Sequence, residues 1–202
     1  MTEELKERYK HIEVEKQGEI VIVKLYRSEN IDDKIYFVRI VFVDNKLFYS
    51  GDMGTYVFGK GIVNIFNFFK GTRINEGYWA GKCEASSYPI FPNEVDEDIV
   101  EEKVKEYLCD FFGVENFDEL DDETKDIFSD MFRFGIETND IRAYDKVYEF
   151  LEEHFNQPNL WEYVSHIIDG AKEISGNFVY ACKVIQFVAN NLEKWLENTL
   201  EA

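Results

Sequence analysis

The chain has 202 residues, with 22 Lys and Arg against 41 Asp and Glu, which leaves a formal charge of −19 at neutral pH. Such acidity excludes generic attachment to a phosphate backbone, because that attachment rests on basic side chains displacing counterions. A hydrophobic content of 45% and an aromatic content of 16% exclude disorder, and the length suits one large domain or two small ones.

Met1 to Lys10 contain no apolar stretch of the kind a secretory signal carries, so none is expected. Ile12 to Glu15 and Ile20 to Val23 flank Gln17-Gly18 with the alternation and turn residues of a hairpin. Ile35 to Val43 is rich in β-branched and aromatic residues and is interrupted by Arg39, which predicts a strand and not a membrane span. Asp44-Asn45 turns the chain into Leu47 to Ser50, and Gly51-Asp52-Met53-Gly54 turns it again into Thr55 to Phe58. These make a meander of about five strands. Ile62 to Phe69 is short and apolar and predicts a helix packed across one face.

Tyr88-Pro89-Ile90-Phe91-Pro92 holds two of the three prolines and predicts a linker. Beyond it the periodicity is helical. Asn93 is placed to cap a helix with Glu94, Asp96 and Glu97 in its first turn and Val95, Ile99, Val104, Leu108 and Phe111 or Phe112 facing inward. Asp121 or Asp122 starts a second, with Ile127, Phe128, Met131 and Phe132 inside and Gly135 near its end. A third runs from Ile141 to Phe155 and stops before Pro158, a fourth covers Leu160 to Ala171, and a fifth Phe178 to Leu196. Lys183 and Gln186 break the apolar run of the fifth, so no membrane span is expected there either. The expected fold is α+β: an N-terminal antiparallel β-meander with short helices over residues 1–90, then an acidic C-terminal helical bundle over 91–202, with one continuous domain as the alternative.

The charge is segregated. Residues 1–90 carry 13 acidic and 13 basic side chains, whereas residues 91–202 carry 28 and 9. Glu94 to Asp130 alone hold 16 acids against Lys103, Lys105 and Lys125, a local net of −13. Acidic helix faces are usually solvated surface that keeps a chain soluble, but repulsion on this scale exceeds what solubility requires and makes an interaction surface equally good a reading. The candidate partner-binding residues are Asp96, Glu97, Asp98, Glu101, Glu102, Asp118, Glu119, Asp121 and Asp122.

Catalytic signals are sparse. Cys83, Cys109 and Cys182 are odd in number, widely spaced and without a CxxC pair, which predicts reduced thiols of a cytosolic protein. His11, His154 and His166 belong to no nucleophile–base motif. Glu162 and His166 share a helix face at i, i+4 without the paired Glu-x-x-His repeat of a di-iron site, and Asp118 to Glu123 lacks the glycine and spacing of a calcium loop. Gly51 to Gly54 lacks the GKS/T ending of a P-loop. Tyr78, Trp79 and Lys82 form a small aromatic and basic group fit either for a partner or for packing. No catalytic residue, metal site or cofactor is expected.

The stretch Gly51-Asp52-Met53-Gly54-Thr55-Tyr56-Val57-Phe58, continued by Phe66, Phe69, Ile74-Asn75-Glu76-Gly77-Tyr78-Trp79-Ala80 and Lys82, resembles small phage and prophage proteins, mostly of unknown function, that share an "SGDMGTYVF … INPGYW" core. The likeness covers residues 35–85, with Glu76 standing where the pattern has Pro, and extends weakly to Phe178-Val179-Tyr180-Ala181-Cys182. Gly51, Asp52, Gly54, Tyr56, Tyr78, Trp79 and Lys82 carry it as turn and structural residues. The resemblance implies a phage-encoded factor in the cytoplasm of an infected bacterium. With the acidity, it implies an inhibitor of a host defence nuclease, an anti-CRISPR protein against a Cas9-type effector, whose acidic face competes for nucleic-acid-binding regions of the nuclease or its guide-RNA complex. Two rivals stand beside it: a metal-dependent enzyme on nucleotides or nucleic acid that uses Asp52 and Glu84, and a phage regulatory or assembly protein.

Overall fold

The computed structural model describes residues 2–28, 37–87, 92–133, 135–136, 140–155 and 159–200. Ile35 and Tyr36 of the third expected strand, Tyr88 to Phe91 of the expected linker, and Pro158 lie outside them. The chain forms two compact units, one made of residues 1–92 and 174–202 and the other of Asn93–Glu173. The fold is α+β with an N-terminal antiparallel sheet followed by helices.

In the first unit a helix, α1 (Thr2–Arg8), precedes six strands in meander order: β1 (His11–Gln17), β2 (Ile20–Tyr26), β3 (Val38–Val43), β4 (Lys46–Gly51), β5 (Gly54–Phe58) and β6 (Cys83–Ser86). The sixth strand escaped sequence reading because Cys83-Glu84-Ala85-Ser86 has little β-branched or aromatic content. It attaches to β5 through a register irregularity at Val57 and Phe58. The Gly51–Gly54 turn needs both glycines. A Cβ on Gly51 would stand 2.8 Å from the Phe37 carbonyl oxygen, and Gly54 has φ +103°. Tyr56 closes the turn by donating its hydroxyl to the Met53 carbonyl at 3.0 Å.

Alternation along the strands sends Val21, Val23, Leu25, Ile40, Phe42, Leu47, Tyr49, Tyr56 and Phe58 to one face, where all are buried. What covers that face is the last helix, α8 (Gly176–Leu200), whose Phe178 ring meets Tyr56 at 5.1 Å and Phe58 at 6.0 Å. Val184 to Ala189 of α8 are buried without interruption, so this middle stretch of the helix is enclosed on all sides. The short helices α2 (Ile65–Phe68) and α3 (Glu76–Ala80) finish the enclosure. The helix expected over Ile62 to Phe69 is thus only four residues long. Gln186, Asn190 and Glu193, spaced i, i+4, i+7 on α8, fasten the intervening loop through Arg73 O, both backbone groups of Gly71, and Lys70.

The expected division into residues 1–90 and 91–202 therefore needs revision. The chain does leave the sheet near residue 92, but the fifth predicted helix returns to it and buries its apolar positions against the sheet face. Only residues 93–173 make up the second unit.

That unit holds α4 (Glu97–Phe112), a 3-10 turn (Phe117–Glu119), α5 (Asp122–Phe132), α6 (Asp140–Phe155) and α7 (Leu160–Gly170). Val100, Val104, Leu108, Phe128, Met131, Val147, Leu151, Val164, Ile167 and Ile168 fill its core. Two three-residue strands, β7 (Asn93–Val95) and β8 (Lys172–Ile174), pair where the chain arrives and departs, and the Asp96 amide donates to Ala171 O at 2.9 Å. Asn93 is consequently a strand residue and not the helix cap, and Val95 is buried from β7 instead of α4. Among the described residues no helix is long and apolar enough to cross a membrane.

One buried group of the first unit carries a stability prediction. The Tyr49 hydroxyl is fully buried and has no hydrogen-bond partner among the described residues, and burial pushes the phenol well above its ordinary pKa. Removing an unsatisfied buried hydroxyl relieves a desolvation penalty. Tyr49→Phe is expected to stabilise the protein by about 1 kcal/mol, seen as a higher midpoint in thermal or urea unfolding. A lower midpoint would mean that the hydroxyl is satisfied.

Candidate binding surface

The nine acidic candidates divide by what their carboxylates hold. Asp96 caps α4, accepting from the amides of Asp98 at 2.9 Å and Ile99 at 3.2 Å. Asp121 caps α5 through the Thr124 amide at 2.7 Å, and that bond holds its carboxyl below the usual carboxylate range. Glu97 reaches across the unit to accept from the Ile136 amide at 2.9 Å. Glu101 pairs with Lys105 at 2.6 Å, and Glu119 accepts from the Asn116 side-chain amide at 2.9 Å. These five are built into the fold. Asp98, Glu102, Asp118 and Asp122 present exposed carboxylates.

The structure also adds Glu106 and Asp110 to the candidates. With Glu102 they stand one turn apart on α4 and form an exposed ridge. On one side a depression carries Lys105, Cys109, Val114, Glu115, Asn116 and Phe117. On the other a groove of about 310 Å3 is lined from α4 by Lys103, Tyr107 and Phe111 and from α7 by Tyr163, His166 and Ile167. Helical spacing was the available signal for this groove, since positions 103, 106, 107, 110 and 111 fall on one face of α4. Tyr107 was missed as an inner residue. Trp161 and Tyr163 of α7, at 56% and 48% exposure, add large aromatic surface to an acidic unit.

The unit carries 25 acidic and 7 basic side chains, a net of −18 out of the chain's −19. Most of its cations are held internally. Besides Lys105, the Lys125 ammonium donates to Asp118 O at 2.6 Å, Lys146 donates to Gly135 O, and Arg133 and Lys172 pair with Asp130 and Asp169 at 3.4 and 2.8 Å. They stitch turns and helix ends, leaving the outward potential strongly negative.

The motif residues between Gly51 and Lys82 serve the first unit. Trp79 is buried edge-on against Phe69 at 4.7 Å, Tyr78 is exposed, and the Lys82 ammonium lies 5.2 Å from the Tyr78 ring centroid. Asp52 and Glu84 do not meet: the register pairs Gly51 with Gly54 at one end of β5 and Phe58 with Cys83 at the other. Glu84 instead pairs with Lys46 at 2.6 Å. Among the described residues no group of three or more His, Cys, Asp or Glu side chains is placed to hold a metal ion. Burial raises the pKa of all three thiols, which keeps them protonated near neutrality. His11 lies on β1 beside Glu13 at 3.3 Å, His154 against Phe150, and His166 in the α4–α7 groove.

No protein-family model matches the chain, and comparison with curated proteins and with solved structures yields no match.

Proposed function

We propose that the protein is a binding factor whose helical unit docks onto a basic, nucleic-acid-binding surface of another protein, and that a bacterial defence nuclease of Cas9 type is the partner to test first. The observation that carries this reading is the concentration of 18 of the 19 units of net charge in residues 93–173, with most of that unit's own cations turned to internal partners. The phage-like core of the first unit supports the choice of partner. Effectors of that class hold guide and target in positively charged channels, and an acidic ridge on a helix offers carboxylates in an array that competes with phosphates. Long-range attraction accelerates the encounter and makes it salt-dependent.

The test is a binding measurement between the protein and guide-loaded Cas9-type effector, with and without target DNA, at two ionic strengths. Binding is expected at low salt, with the association rate falling about tenfold or more as salt rises from 50 to 300 mM, and with DNA competing. Absence of binding at low salt overturns the choice of partner, while salt-independent binding overturns the electrostatic mechanism.

A further inference from the structure

We propose that the groove between α4 and α7 is a receptor for one arginine side chain. This deepens the reading of the helical unit as a surface for a basic partner, and it rests on that reading only for where the arginine comes from.

Three observations combine here. First, the walls are aromatic. Tyr107 and Phe111 lie one turn apart on α4 with ring centroids 6.3 Å apart and planes 23° from parallel, and Tyr163 of α7 meets Tyr107 edge-on at 5.4 Å. Tyr163 is about half exposed, whereas Tyr107 is 7% exposed, so the groove has a fixed floor and an open wall. Second, the rim is anionic. Glu106 and Asp110, also one turn apart on α4, both line the groove and are exposed. Third, the volume of about 310 Å3 lies at the small end of ligand sites, which suits one long side chain better than a nucleotide.

A guanidinium satisfies this lining in a way that other cations do not. Its flat face stacks on aromatic rings, and its fork of N–H donors reaches carboxylates in the same plane. A lysine ammonium keeps its water more tightly and has no flat face to stack. The groove's own cation, Lys103, sits at the far end from Phe111. A Cβ on Gly170 would stand 2.6 Å from Lys103 Cε and 3.0 Å from its Nζ, so the ammonium lies at the C-terminus of α7, where the last carbonyls favour positive charge. That leaves the stretch between Tyr107 and Phe111 for an incoming side chain.

The experiment is a titration of the full chain, followed in 1H–15N spectra, with argininamide, lysinamide and the neutral isostere citrullinamide. Argininamide is expected to give saturable shifts confined to residues 103–111 and 163–167, with lysinamide several-fold weaker and citrullinamide silent. Tyr163→Ala and Asp110→Asn, both at exposed positions, are each expected to weaken argininamide binding about tenfold without changing the melting temperature. No saturable shift, shifts spread over the whole acidic surface, equal responses to argininamide and citrullinamide or lysinamide, or unchanged affinity in both variants would each overturn the assignment. Its failure is separable from that of the partner reading. Argininamide filling the groove while no nuclease binds would sustain the receptor and remove the nuclease, and nuclease binding without argininamide at the groove would do the reverse.

Discussion

A fragment ending at residue 92 is expected to remain unfolded, whereas residues 93–173 alone should give a cooperative helical melt. Among the described residues of the first 92, only short helices lie over the sheet face presented by Val23, Ile40, Phe42, Tyr49, Tyr56 and Phe58, and partner side chains come from residues 178–192. Removing α8 deletes the buried Phe178, Val184, Ile185, Phe187, Val188 and Leu192. At roughly 1.5–3 kcal/mol for each buried large side chain, the loss is on the order of 10 kcal/mol, comparable to the whole stability of a domain. A chain in which residue 92 is joined to residue 174 by a short glycine turn should recover the sheet. Circular dichroism and dispersion of the amide spectrum report all three outcomes. A folded 1–92 fragment would show that the sheet holds together without its central helix.

That arrangement was only half visible in the sequence. The alternation of Ile20 to Val23 and Leu47 to Phe58, and the turn glycines between them, are local signals, and the strands stand where they place them. The helices after residue 95 follow their periodicity and caps for the same reason. The destination of Phe178 to Leu196 is not a local property. Its apolar positions satisfy a sheet or other helices equally well, and only the long-range pairing of faces decides. The two short strands β7 and β8 were hidden because three residues carry no period. On the acidic surface Glu94, Asp96 and Glu97, and then Asp121 or Asp122, announced helix starts, but whether a carboxylate is engaged by an amide or faces solvent depends on loops such as Gly135-Ile136, which no periodicity describes. The α4–α7 groove needed two helices to meet, so Tyr163 gave no sign of its neighbours.

The sorting of carboxylates decides how the binding proposal is best challenged. The variant Asp98→Lys, Glu102→Lys, Asp118→Lys, Asp122→Lys changes only exposed groups and raises the net charge of the helical unit from −18 to −10. It should weaken binding to guide-loaded effector about a hundredfold or more and flatten its salt dependence. Lysines in the first turns of α4 and α5 oppose the helix dipole at about 0.3–1 kcal/mol each, so a melt several degrees lower is expected and a collapsed one is not. The same four positions changed to Asn or Gln should give an intermediate loss. Unchanged affinity in the lysine variant would move the interface to the first unit. Mutating Asp96, Glu97 or Asp121 instead would confound the result, because each ties down backbone amides.

The β7–β8 pair has a consequence for how the chain comes into being. Residues 93–173 are continuous and bracketed by that pair, so they can fold during synthesis as soon as Glu173 clears the ribosome. The sheet that precedes them emerges first yet stays incomplete until α8 follows. The order of folding on the ribosome is therefore the reverse of the order of synthesis: the acidic unit closes early, and the older segment waits with its apolar face exposed, the interval in which chaperones and aggregation compete for it.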